Sequence, residues 1–171
     1  MSEMRFVVNE RGKEQLVIDD AVLRFHNFAG AQTEYNARGN RNIDVVLPDK
    51  DMAVAMGEKG WNVKIRKPRN EDEDPYYTLN VKINMESRWP PKIFQVNRSQ
   101  QVQYDAEMVD GLDDVNMQDI GIVINGSEWE NDRFGHGIKA YLDQMYFRVK
   151  PGVFGHKYDV VEEEETEEVP F

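Results

Sequence analysis

A chain of 171 residues, 40% of them apolar and with glycine and proline not in excess, has the size and composition of one folded domain rather than two. It has no cysteine, which excludes a disulfide framework and thiolate chemistry and suits a cytoplasm, and it has no run of eighteen uncharged apolar residues, so neither an ordinary export signal nor a membrane span is expected. The net charge of -11 would argue against a polyanionic partner, but seven acids lie in the last thirteen residues, and residues 1–158 hold 25 acids against 21 bases, free to cluster.

In chain order, Phe6, Val7 and Val8 form a short apolar island suited to an edge strand. From Leu16 to Phe28, Ala21, Leu23 and Phe25 share one parity and Arg24 and His26 the other, which predicts one long half-buried strand. Gly30 to Asn42 is a polar loop with Tyr35, Arg38 and Arg41. Ile43 to Leu47 is a short strand stopped by Pro48, after which Asp49 caps a helix that ends at Gly60.

A hairpin follows. Trp61, Val63 and Ile65 alternate with Asn62, Lys64 and Arg66, and beyond a long charged loop Tyr77, Leu79, Val81, Ile83 and Met85 alternate with Tyr76, Thr78, Asn80, Lys82 and Asn84. One face is apolar, the other polar and basic. Trp89-Pro90-Pro91 interrupts the pattern, and Lys92 to Val96 resumes it. Met108 to Asp119 is acidic and glycine-broken, a loop or a weak helical turn. Ile120 to Asn125 is a strand that opens into a glycine-bounded loop holding Trp129 and Phe134. In the last strand, Ile138, Ala140 and Leu142 share one parity but Met145, Phe147 and Val149 the other, a phase switch that predicts a bulge. These elements define a mainly β fold: a small OB-fold-like barrel with one short helix, long loops and a disordered acidic C-terminal tail. Residues 1–158 form the binding domain and 159–171 the tail.

Catalysis has little support. His26, His136 and His156 are scattered, no metal-binding spacing occurs, and Asp19-Asp20 and Asp113-Asp114, as adjacent pairs, are read as solvated turn residues. The pattern asks for no cofactor and no metal, and the chain is not expected to be an enzyme. Single-strand binding has more support, because it needs cations that track a phosphate backbone and aromatic faces on which bases stack. Twelve of the 21 bases fall between Gly30 and Arg98. The candidate nucleic-acid contacts are Tyr35, Arg38, Arg41, Lys64, Arg66, Tyr76, Lys82, Arg88 and Trp89. Trp61 and Tyr77 belong to the core by parity.

The tail closes on Glu167, Glu168, Val169, Pro170 and Phe171, a like-charge run ending in a stiffened aromatic. It has the form of a docking motif: the aromatic fills an apolar pocket while the acids face a basic rim. An acidic tail ending in Pro-Phe resembles the C-terminal tip of bacterial and phage single-stranded DNA-binding proteins. That resemblance implies single-stranded DNA as ligand and recruitment of replication, recombination and repair proteins through the tip, in a bacterial or phage-infected cell. It covers only Glu162 to Phe171. Separately, a basic face beside a mobile poly-Glu tail suggests that the tail competes with DNA for that face when DNA is absent and is released to partners when DNA binds. The alternative is a phage structural or assembly protein with an acidic docking tail; self-association stays open.

Overall fold

The computed structural model describes residues 2–34, 36–70 and 72–150; the tail, with the expected docking residues Glu167 to Phe171, lies outside the described residues, as does Tyr35. Among the described residues ten strands and two α-helices occur in the order β1 (Glu3–Val8), β2 (Glu14–Asp19), β3 (Leu23–Asn27), β4 (Arg41–Leu47), α1 (Lys50–Lys59), β5 (Val63–Arg66), β6 (Tyr76–Ile83), β7 (Lys92–Val96), β8 (Gln101–Tyr104), α2 (Ala106–Val109), β9 (Met117–Asn131) and β10 (Gly135–Val149). Among the described residues no helix is long and apolar enough to cross a membrane.

The fold is mainly β, and all ten strands join in one sheet. Its main path runs β1-β2-β9-β10-β6-β4-β3; β5 is added to β6, and β7 to β10 with β8 outside it. The two ends of the path, β1 and β3, are not paired with each other, so the sheet is not closed by hydrogen bonds. The long inner strands share their edges. One side of β6 pairs with β5 through Tyr76 to Leu79 and then with β10 in parallel, Val81 opposite Ala140 and Lys82 opposite Tyr141. Beyond that point β10 passes to β7, with Gln144 opposite Lys92.

Alternation explains the core. Ile43, Val45 and Leu47 of β4 face the same way as Leu79 and Val81 of β6, and all are buried, together with Leu16, Ile18, Ile122, Ile124, Phe28, Met145 and Phe147. Each such side chain contributes roughly 1.5–3 kcal/mol relative to exposure. Helix α1 keeps its expected limits: Asp49 accepts a hydrogen bond from the Met52 N–H at 3.0 Å, and Gly60 ends the helix at φ 109°. Its buried residues are Ala53 and Met56. The phase switch in the last strand is a bulge between Leu142 and Gln144, which turns Met145 and Phe147 inward after Ala140 and Leu142.

Two expectations are corrected. The strand from Leu16 to Phe28 is two strands, because Asp20 takes φ 50° and breaks the chain direction before β3. Within β3 the register against β4 slips between Arg24 and Asn27, and Phe25 takes φ 49°, so its ring points to solvent and is 67% exposed. The expected loop around Trp129 is instead a two-stranded arm in which β9 and β10 pair out to Asn131 and Gly135. Its glycines serve close packing: a Cβ on Gly126 would lie 2.6 Å from the Trp61 ring and 2.9 Å from Ile138. Gly126→Ala should therefore cost about 1–3 kcal/mol through overpacking, read as a lower urea midpoint at unchanged m-value.

Candidate nucleic-acid interface

The side of the sheet opposite Leu79 and Val81 carries the polar residues of the hairpin. Register places Lys64 beside Thr78, Arg66 beside Tyr76, Asn80 beside Asp44, and Lys82 between Asn42 and Tyr141. Asp44 is only 6% exposed, and its carboxylate accepts from Arg66 Nη2 and from Asn80 Nδ2, each at 2.8 Å. Arg66 Nε also donates to Thr78 Oγ1 at 3.3 Å, and the guanidinium lies 5.1 Å from the centre of the Phe25 ring. Arg24, opposite Asp44 on β3, places its guanidinium 5.9 Å from the Tyr76 ring. Two arginines are thus held against two aromatic rings at one end of the face, and the buried carboxylate fixes the orientation of Arg66 before any ligand arrives.

Further along the face, Lys139 and Tyr141 of β10 adjoin Lys82, with Lys139 Nζ 5.7 Å from the centre of the Tyr141 ring. The adjacent Lys139, burial and like-charge repulsion together hold the Lys82 ammonium below the usual lysine range. Past Tyr141 the face opens into a cleft of about 960 Å³ between the β1–β2 turn (Arg11, Lys13) and residues 87–92. Trp89 stands in it 76% exposed, with the Arg88 guanidinium 5.7 Å from its ring centre. The floor is fixed by amides: Gln15 Nε2 donates to Asn125 Oδ1 at 2.8 Å and to Asp143 Oδ2 at 3.1 Å.

Of the residues singled out in the sequence, Lys64, Arg66, Tyr76 and Lys82 share the strand face, and Arg88 and Trp89 line the adjoining cleft. Arg38 is exposed in the turn before β4. Arg41 is turned away from them: it lies opposite Ile83, donates to the Phe28 carbonyl at 2.8 Å and pairs with Asp110 at 2.7 Å. Phe25, Arg24, Lys139, Tyr141, Arg11 and Lys13 are additions that sequence patterning did not select. Trp61 and Tyr77 pack against the core.

A sheet whose polar face combines oriented cations with exposed rings, leading into a basic cleft with a free indole, has the ground plan of a single-strand-binding β protein. The chain belongs to the phage ssDNA-binding family: the family model described as "Putative phage ssDNA-binding domain" matches residues 6–169. Among solved structures, the single-stranded DNA-binding protein from bacteriophage Enc34 in complex with ssDNA is similar at 13% identity and a TM-score of 0.52, over 88% of this chain and 93% of that one. A C-terminal truncation of the Enc34 protein is similar at 13% identity and a TM-score of 0.49, over 86% of this chain and 91% of that one. At this identity the complex shows a shared fold. No curated protein sequence matches the chain.

Proposed function

We propose that the chain binds single-stranded DNA with little sequence preference, along the strand face from Phe25 and Arg66 past Lys82 to the Trp89 cleft. The observation that carries this is the placement of Lys64, Arg66 and Lys82 on one face with two arginine-backed rings, Phe25 and Tyr76. Lysines and arginines neutralise phosphates without reading bases, and stacked rings accept any base, so affinity arises without base-edge recognition. Membership of the phage ssDNA-binding family supports the same ligand. In this reading residues 1–158 hold the DNA in the cytoplasm of a phage-infected cell, and residues 159–171 act as a separate segment. Its acids compete for the basic face when DNA is absent, and Glu167 to Phe171 recruit replication, recombination or repair proteins when DNA is bound.

The test is fluorescence anisotropy of an oligo-dT of about 30 nucleotides, titrated with the full chain and with a version ending at Val161, at two salt concentrations. Both versions should bind, the shortened one more tightly, and log K should fall with log salt at a slope of about -0.7 per phosphate contacted. Absence of binding by either version at low salt would reject the proposal and favour a structural or assembly role.

A further inference from the structure

The junction where β6 meets β10 holds two lysines with no acid assigned to them. Lys82 lies directly opposite Tyr141, and Lys139, two residues earlier on β10, projects from the same face with its Nζ near the Tyr141 ring. Among the described residues neither lysine forms an ion pair. Two carboxylates that register places along this face, Asp44 and Asp143, already have partners. Asp44, diagonal from Lys82 on β4, accepts from Arg66 and Asn80. Asp143, beyond Tyr141 on β10, accepts from Gln15 and Asn125. Asn42 is the remaining polar neighbour across from Lys82, and it is neutral.

Two ammonium groups side by side on neighbouring strands, with Asp44 and Asp143 engaged elsewhere, repel each other unless an anion sits between them. The Lys82 ammonium is held below the usual lysine range by its hydrogen bond with Lys139 first, then by burial, and then by that repulsion. We propose that Lys82, Lys139 and the Tyr141 hydroxyl form a site for one phosphate group, shared by both lysines, at the pivot between the strand face and the Trp89 cleft. The inference deepens the single-stranded DNA reading and rests on it for the source of the phosphate, a backbone phosphodiester. The site also divides the bound strand, with stacking on Phe25 and Tyr76 to one side of the held phosphate and on Trp89 to the other.

Two measurements test it. In nuclear magnetic resonance titrations of the full chain with inorganic phosphate, the Nζ signals of Lys82 and Lys139 should move together and saturate, while those of Lys50 and Lys59 on α1 move little; uniform or absent shifts would overturn the site. With oligo-dT, the Lys82→Gln/Lys139→Gln double variant should lose about 0.7 in the slope of log K against log salt, one phosphate's worth. A loss of about 1.4 would mean two separate contacts, and no loss would mean none, and either overturns the shared site. Failure of the wild-type chain to bind oligo-dT would instead reject the DNA reading, leaving the phosphate titration to judge the pocket alone.

Discussion

Replacing Asp113 with alanine should lower the stability of the fold by about 3 kcal/mol, because one carboxylate holds three donors. Asp113 sits in the 3₁₀ turn Leu112–Asp114 and accepts from the Phe28 N–H at 2.8 Å, the Ala29 N–H at 3.0 Å and His26 Nδ1 at 2.7 Å. Those bonds close the end of β3 and fix the backbone that carries the fully buried Phe28. A loss of that size should lower Tm by roughly 6–12 °C. Burial pushes the Asp113 carboxyl up, but the bonds from Phe28, His26 and Ala29 outweigh it and hold the group below the usual carboxylate range. A folded-state pKa below the unfolded one, about 3.9, gives stability that is present above pH 4 and is lost as pH falls through the folded value. The stability gap between wild type and Asp113→Asn, from urea unfolding, should therefore be wider at pH 7 than at pH 3. A gap of equal width at both would show that the carboxylate charge is not its source.

Asp113 also shows where sequence patterning ends. As one of two adjacent acids in a glycine-broken stretch it reads as solvated, and its partners lie some eighty residues earlier, where no local period can point. Arg41 has distant partners for the same reason: beside a basic loop it reads as a DNA contact, and in the fold its guanidinium is bonded to Asp110 and the Phe28 carbonyl. What local alternation does encode was legible. The β5–β6 hairpin puts Lys64, Arg66 and Lys82 on one face because both strands are regular. The bulge in β10 could be found because it shifts the apolar parity from Leu142 to Met145. Phe25 was assigned inward because parity assumes extended backbone, and a residue at φ 49° within a register slip reverses the side-chain direction without changing the sequence pattern. Lys139 and Tyr141 carry the correct outward parity against Ile138, Ala140 and Leu142. Their meeting with Lys82, however, depends on a parallel pairing of β6 with β10 that no stretch of sequence records.

Removing the two exposed rings at opposite ends of the face should have the largest effect on DNA binding. Base stacking contributes about 1–3 kcal/mol per ring, so Trp89→Ala alone should raise Kd for oligo-dT by roughly 5- to 150-fold. Trp89 is largely exposed, so its loss should change unfolding free energy by less than about 0.5 kcal/mol, separating a binding role from a folding one. Phe25→Ala should cost a similar amount. The residue already occupies a left-handed backbone conformation that alanine tolerates no better, and Arg66 keeps its bond to Asp44, so the change removes chiefly the ring. Phe25 and Trp89 share no partner, so their effects should nearly add, and the double variant should bind oligo-dT at least 30-fold more weakly. Fluorescence gives an independent readout: a base stacked on Trp89 should quench its emission, whereas Trp61, packed against the core, should be indifferent. Trp89→Phe should then abolish most of the quench while keeping most of the affinity. If Trp89→Ala binds as tightly as the wild type while Phe25→Ala does not, the DNA path ends at the strand face and the cleft lies outside it.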